Sequence, residues 1–488
     1  MMKQPDSIPW EQVQTAFYNI WGYTEFRPPQ AEIIQTLLTR KDALIVMPTG
    51  GGKSICFQLP AVLKTGLTLV ISPLVALMEN QVQELHQHQL LAGLIHSQIS
   101  KQKRQQTLSK LQQNRLRLLY LSPETLFTPT VWNILSQPDI MINGLILDEA
   151  HCLVQWGDTF RPAYRRLGTV RAALLKTKPK NSKIAIAAFT ATADPAAQNV
   201  IQSVLKLQQP RQYLLNPYRK NLDLNIKTVW TPHGRQQQLF NFIQTHPQQS
   251  GLVYVRTRKQ SEKLAALLSG KHYKTAAYHG GLSGVTRRKI EQAWLQDKIQ
   301  FVVCTSAFGL GINKSNVRWV IHFQAPCLLS EYIQEIGRAG RDGLPATALT
   351  LRSEPTGWLY PEDKKRRQFL MENLRQQEQI ARKLAKKLPY KGELNAVSRQ
   401  HPEAAMALSL LHSWGQLTWR DPFHYQITTE KSKSYPKHNQ NAMQTMTQYL
   451  NTGRCRWQFL LQAFGFTDEA ESMRCGHCDN CRSLRISL

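Results

Sequence analysis

The chain has 488 residues, too many for one hydrophobic core, and at roughly 150 residues per domain it predicts about three domains. Hydrophobic residues make up 42% and charged residues 19%, ordinary globular values that argue against wholesale disorder and against a membrane-embedded protein. Its 61 Lys and Arg against 33 Asp and Glu leave a net charge of +28, which points to polyanionic partners, nucleic acid first, because phosphates bind these cations with release of counterions.

The opening Met1-Met2-Lys3-Gln4-Pro5-Asp6 lacks the apolar core of a signal peptide, and no apolar run approaches the ~18 residues of a membrane span, so a cytoplasmic location with no membrane partner is expected. Apolar runs at Ala43–Met47, Thr68–Ser72, Arg117–Leu121, Leu145–Asp148 and Ile184–Phe189 are each followed by a turn and a stretch of helical periodicity. That is the pattern of parallel strands with crossover helices. It restarts at Gly251–Val255, Thr275–Tyr278, Phe301–Cys304, Arg318–Phe323 and Ala346–Leu351, so two α/β domains in tandem are predicted. Pro210, Pro217 and Pro232 place their boundary near residue 215. The expected domains are 1–215, 216–354, a region 355–450 and a terminal module 451–488. Within the third, Glu362–Lys387 reads as a charged helix, Glu403–His412 as an amphipathic helix and Gln416–Thr428 as a hairpin turning near Asp421-Pro422. Helix followed by hairpin suits either a winged-helix element or an irregular elaboration of the domains before it. Lys431–Asn441 reads as a mobile connection.

The strand Ala43–Met47 runs into Thr49-Gly50-Gly51-Gly52-Lys53-Ser54, and helical spacing follows. Strand, glycine loop and helix form a phosphate-binding context: backbone amides converge on phosphate oxygens, Lys53 reaches the outer phosphates and Ser54 ligates magnesium. The generic pattern has glycine where this chain has Met47, but the wording matches the Thr-Gly-x-Gly-Lys-Ser form of helicase-type ATPases. ATP and Mg2+ are therefore expected. A second apolar strand ends in Asp148 and Glu149, suited to hold the metal and to polarise the attacking water, and continues as Ala150-His151, where His151 is assigned a coupling role. Gln334, Arg338 and Arg341 lie at the end of a predicted helix; Arg341 is expected to act as an arginine finger, with Arg338 assisting.

Taken in order, these motifs resemble superfamily 2 helicases, and their wording is similar to the RecQ DNA helicases over about residues 17–351 and the terminal cysteines. The resemblance implies two tandem RecA-like parallel-sheet motor domains and a small C-terminal zinc-binding helical module. It assigns Tyr23 and Arg27 to flank adenine and Gln30 to hydrogen-bond its edge, on the basis of Trp21-Gly22-Tyr23, Phe26-Arg27 and Gln30. Cys152 to Tyr164 resembles the aromatic-rich loop by which these enzymes sense DNA. Trp156 and Phe160 then stack on bases, at roughly 1–3 kcal/mol each, and Arg161 meets a phosphate. Asp158-Thr159 replaces the usual His-Asp there. Thr190 and Thr192, in Phe189-Thr190-Ala191-Thr192-Ala193, fall in a coupling segment, and Ser72-Pro73-Leu74 and Ser122-Pro123-Glu124 resemble strand-tracking segments. Thr257-Arg258, Tyr278-His279-Gly280-Gly281-Leu282 and Thr305–Lys314 continue the resemblance.

Cys475, Cys478 and Cys481 crowd into seven residues, and Cys455, on a helix predicted to begin near Asn451, supplies a fourth thiolate. Four soft ligands suit tetrahedral zinc, and the RecQ zinc module has this order; an iron–sulfur cluster, or His477 in place of one cysteine, are the competing readings. Few residues follow Cys481, which leaves no room here for the winged-helix and helical modules that longer RecQ enzymes carry after the zinc site. The implied activity is ATP-driven 3′-to-5′ translocation on single-stranded DNA with unwinding of forked or structured duplexes in recombination and repair, in a cytoplasmic, nucleoid-associated protein. An RNA helicase, or a DNA-binding scaffold with weak motor activity, are the alternatives.

Overall fold

Short apolar runs bounded by turns become parallel strands buried on both faces, because each crossover lays a helix over one side of the sheet or the other. This computed structural model describes residues 8–155, 161–308, 312, 314–428 and 438–486. The chain divides into two units, residues 1–215 with 374–436 and residues 216–373 with 437–488.

The parallel sheet of the first unit has seven strands, β1 (Ala43–Val46), β2 (Leu67–Ile71), β3 (Ala92–Ile95), β4 (Leu118–Leu121), β5 (Ile142–Leu147), β6 (Ala185–Thr190) and β7 (Arg211–Leu214), in the order β3-β4-β2-β5-β6-β1-β7. Side chains alternate between two cores: Leu44, Leu69, Leu145 and Ile186 fill one face, while Ile45, Val70, Ile146 and Ala187 fill the other. Because β5, β6 and β1 are neighbours, the segments that follow them emerge side by side.

The second unit repeats the plan with β8 (Leu222–Val229), β9 (Gly251–Tyr254), β10 (Thr275–Tyr278), β11 (Phe301–Cys304), β12 (Trp319–His322) and β13 (Ala346–Ser353), in the order β10-β11-β9-β12-β13-β8. Edge strand β8 pairs with β13 over eight residues on one side. Its outer side is covered by the cysteine module: Leu222 O accepts Trp457 Nε1 at 3.2 Å and Ile226 N donates to Asp479 Oδ2 at 2.9 Å. Those contacts satisfy backbone groups that an open edge would leave to other chains.

A third, antiparallel sheet of β14 (Lys391–Glu393), β15 (Leu417–Trp419) and β16 (His424–Ile427), ordered β14-β16-β15, packs with helices Leu394–Gln400 and Ala404–Ser413 around Leu408, Leu411, Trp414 and Tyr425. Counting the end of helix Glu362–Ala385, the order is helix, strand, two helices, two strands. Helix Ala404–Ser413 lies against the 3-10 segment Pro162–Thr169 of the first unit. The β15–β16 turn docks there too. Phe423 meets Phe127 and Trp132 edge-on with centroids 6.2 and 5.4 Å away, and Arg166 donates to Pro422 O at 3.0 Å while covering the Phe127 ring at 4.3 Å. The expected connection at Lys431–Asn441 falls largely outside the described residues, which resume with helix His438–Asn451. No described helix is long and apolar enough to cross a membrane.

Candidate nucleotide site and zinc centre

Chain continuity from β1 sets the glycine loop. Gly50 and Gly52 take left-handed φ values of 84° and 78°, and a Cβ at Gly51 would come within 2.8 Å of Met47 Cγ, so the loop needs these glycines. Met47, at the position of the generic first glycine, is buried in the core under the loop. Lys53 opens helix Lys53–Leu63, and its Nζ donates to Met47 O at 3.1 Å, folding the ammonium back over the loop that phosphates would fill. Ser54 Oγ accepts from Gln81 Nε2 at 3.1 Å.

After β5, Asp148 and Glu149 are both buried. Burial and the adjacent Glu149 push Asp148 up to about 7, against the opposing charge of Lys53. A buried carboxylate held in that state is relieved by a divalent cation, so the donor set of Ser54 and Asp148 fits magnesium. Glu149 sits at φ 53° and donates its N–H to Asp148 Oδ1 at 3.0 Å. His151 Nδ1 lies 3.2 Å from Glu149 Oε2 and 3.0 Å from Thr190 Oγ1 at the end of β6. Burial opposes a charged imidazole there, but Cys152 and Glu149 beside it outweigh burial and raise the pKa well above the usual histidine range. Thr190 Oγ1 in turn accepts Thr192 N at 3.2 Å. A continuous polar path thus joins the Glu149 carboxylate to the segment Thr190–Thr192.

In the second unit, the sulfurs of Cys455, Cys475, Cys478 and Cys481 lie within 4.8 Å of one another, and Cys475 Sγ and Cys481 Sγ are 3.9 Å apart. Tetrahedral zinc with bonds of about 2.3 Å sets sulfur separations of roughly 3.8 Å. Backbone amides of Cys475, Arg456 and Cys478 point at the sulfurs of Cys455, Cys478 and Cys475 at 3.3–3.4 Å, as thiolates require. His477 turns away: its Nδ1 meets Asp223 Oδ1 at 2.8 Å, so it anchors the loop to β8 and is not among the clustered ligands. Cys455 is not inside a helix as its sequence context suggested. Helix His438–Asn451 ends before it, and Cys455 is the N-cap of helix Arg456–Ala463, which frees its sulfur to face the loop.

Three family descriptions match the chain: DEAD/DEAH box helicase over residues 27–200, helicase conserved C-terminal domain over 234–343 and RecQ zinc-binding over 421–482. The ATP-dependent DNA helicase RecQ of Synechocystis is 51% identical over 472 residues, covering 96% of this chain and 98% of that protein. The chain belongs to the RecQ family. A RecQ of Haemophilus influenzae is 40% identical over 70% of this chain but only 53% of its own length. The Mycobacterium smegmatis helicase Lhr, solved with single-stranded DNA and AMP-PNP, superposes with a TM-score of 0.57 at 18% identity over 90% of this chain and 61% of that one, a likeness of fold.

With the RecQ fold in place, the remaining expected residues can be located. Gln30 is buried, and its amide is already engaged: Oε1 accepts Arg27 N at 2.9 Å, and Nε2 donates to Gly51 O at 3.2 Å and Gly52 O at 3.3 Å. Gln30, expected at the adenine edge, is therefore clipped to the glycine loop itself. Tyr23 and Arg27 are exposed, Tyr23 tilted against Phe17 at 5.6 Å. Trp156 and Phe160 lie outside the described residues, whereas Arg161 sits just before Pro162–Thr169 with NH1 3.6 Å from Glu124 Oε2. Gln334, Arg338 and Arg341 belong to the second unit. Gln334 lies on helix Leu329–Ile336, Arg338 is buried in the turn after it, and Arg341 NH1 donates to Ile312 O at 3.2 Å.

Sequence reasoning missed the network that holds that helix. Arg256 grips Glu335 in a two-pronged pair at 2.7 and 2.8 Å, and His322 Nε2 approaches Glu335 at 3.0 Å. Burial alone would raise the Glu335 carboxyl, but Arg256 and His322 pull it down to about 2. Glu335 lies next to Gln334 in the expected motif, and that adjacency was the available signal.

Proposed function

We propose that this chain couples ATP hydrolysis to 3′-to-5′ movement along single-stranded DNA and opens forked or structured duplexes during recombination and repair, in the cytoplasm and on the nucleoid. The reading is carried by the convergence of Lys53, Ser54, Asp148, Glu149, His151 and Thr190 behind three neighbouring strands. Amides of Thr49–Ser54 and the Lys53 ammonium bind the phosphates of ATP. Ser54 and Asp148 hold magnesium, which neutralises charge on those phosphates. Glu149 orients and polarises the attacking water. His151 passes the state of Thr190–Thr192 to Glu149, so that strand binding registers at the water. Gln30, released from Gly51 and Gly52, pairs with the adenine edge. Arg341, with Arg338 and Gln334, supplies positive charge to the transferring phosphoryl group.

Turnover of ATP with and without single-stranded DNA tests this. DNA accelerates hydrolysis in the intact chain, Lys53→Ala abolishes it, and Arg341→Ala lowers kcat by about 1,000-fold with nucleotide still bound. A 3′-tailed duplex is opened and a 5′-tailed one is not. Equal hydrolysis with and without DNA sinks the motor reading. Equal stimulation by RNA replaces it with an RNA helicase.

A further inference from the structure

Trp358 is 83% exposed, more than any other large hydrophobic side chain among the described residues. It stands on the segment between β13 and helix Glu362–Ala385, and that segment is firmly held. The Glu354 carboxylate accepts Thr356 N at 2.8 Å and Leu359 N at 3.1 Å as well as the Thr356 hydroxyl, and Gly357 N bonds Glu354 O at 3.2 Å with φ at 66°. A loop fixed in this way keeps an indole in water without core packing to reward it.

Beside the loop lies an open, shallow concavity lined by Arg352, Gly357, Lys364, Arg367 and Asn451 among others. Its charge is unbalanced. Arg352 donates only to neutral acceptors, Thr228 Oγ1 at 3.0 Å, Leu450 O and the Asn451 side chain. Lys364, whose stem lies against Gly357, and Arg367 form no ion pair with any described residue. The two acidic residues in the wall are spent: Glu354 on the loop amides and Asp363 on Ser353 N at 2.7 Å and Arg235 at 3.5 Å. Glu362, at the start of the same helix, accepts from Gln260 Nε2 at 3.4 Å and from Gln324. The platform is thereby tied to the turn that carries Thr257 and Arg258.

We propose that Trp358 and the cationic concavity beside it form a surface site for single-stranded nucleic acid, with the indole stacked on a base and Arg352, Lys364 and Arg367 facing the phosphates. That the strand is DNA rests on the motor reading above.

Anisotropy of a labelled oligo-dT on the full chain tests it. Trp358→Ala weakens binding about tenfold, Trp358→Phe binds close to the unaltered chain, and on a strand with abasic sites Trp358→Ala makes no difference. Replacing both Lys364 and Arg367 by Ala flattens the slope of log affinity against log salt by about 1.4, at roughly 0.7 per lost phosphate contact on a single strand. Hydrolysis without DNA is unchanged in all of them. If Trp358→Ala binds oligo-dT as the unaltered chain does, or loses as much on the abasic strand, the site is overturned and the indole belongs to a protein contact. DNA stimulation of the unaltered chain is read separately, so the motor reading stands or falls without Trp358.

Discussion

Asp148 shows how a site residue is held in tension. The unfolded carboxyl ionises near 3.8, whereas in the fold burial and Glu149 raise it to about 7. Between those values folding takes up a proton, so this residue's contribution to stability falls as pH rises and levels off above about 7. Asp148→Asn removes the ionisation. It should raise the melting temperature at pH 8 in nucleotide-free, metal-free buffer, with a stability gain on the order of 1 kcal/mol or more, and the gain should shrink as pH falls toward 5. Melting curves across that range check it, and a gain that grows on acidification would contradict the assignment. On the proposed function, the same variant should lose ATP turnover. At this scale much of the site was legible. Lys53, Ser54, Asp148 and Glu149 sit in short local motifs whose chemistry depends on neighbours in the chain. Arg256 and His322 were not legible, because their meaning comes from Glu335, 79 and 13 residues further along, and no periodicity announces a long-range ion pair.

The β15–β16 hairpin has the element order of a winged helix, but its turn is spent on the first unit: Phe423 fills the space between Phe127 and Trp132, and Pro422 is held by Arg166. Burial lowers the Arg166 guanidinium to about 10. Helix Ala404–Ser413 is likewise turned toward Pro162–Thr169. The module thereby braces the segment Pro162–Thr169 of the first unit. Phe423→Ala should then cost on the order of 2 kcal/mol, less than a fully buried Phe because the ring is only partly enclosed. Denaturant unfolding measures it, and a loss below ~0.5 kcal/mol would show a turn merely resting on the surface. Elements with strong apolar runs could be read from the sequence; four strands could not, among them β14, only Lys-Gly-Glu. β3 is Ala-Gly-Leu-Ile, with two small residues, and β7 is an exposed edge of Arg-Gln-Tyr-Leu. β8 alternates Leu, Asp, Leu, Asn, Ile, Lys as a half-buried strand should, but it falls between Pro217 and Pro232, two of the prolines that mark the expected domain boundary.

Seen as a whole molecule, the chain is not a row of domains in sequence order. Residues 374–436 return to the unit begun by residues 1–215, and residues 437–488 return to the unit of 216–373. Composition marks the break near residue 215 but carries no sign of the returns, which depend on packing between segments hundreds of residues apart. The cysteine module is the means by which the last return is made. Beyond Trp457 and Asp479, the module holds β8 through His477 to Asp223 and Arg482 to Asp223, and Arg456 clamps Asp479 from the helix that begins at Cys455. All of these side chains lie next to, or within two residues of, a cysteine ligand, so losing the metal releases the cover of β8 as one event. Chelation, or Cys478→Ser, should therefore raise amide hydrogen exchange across Leu222–Val229 while Ala43–Val46 and Ala185–Thr190 keep their protection and ATP still binds the first unit. Exchange that rises equally in both sheets would mean that the zinc supports the whole chain. Exchange unchanged in β8 would mean that the side-chain contacts of the module persist without it.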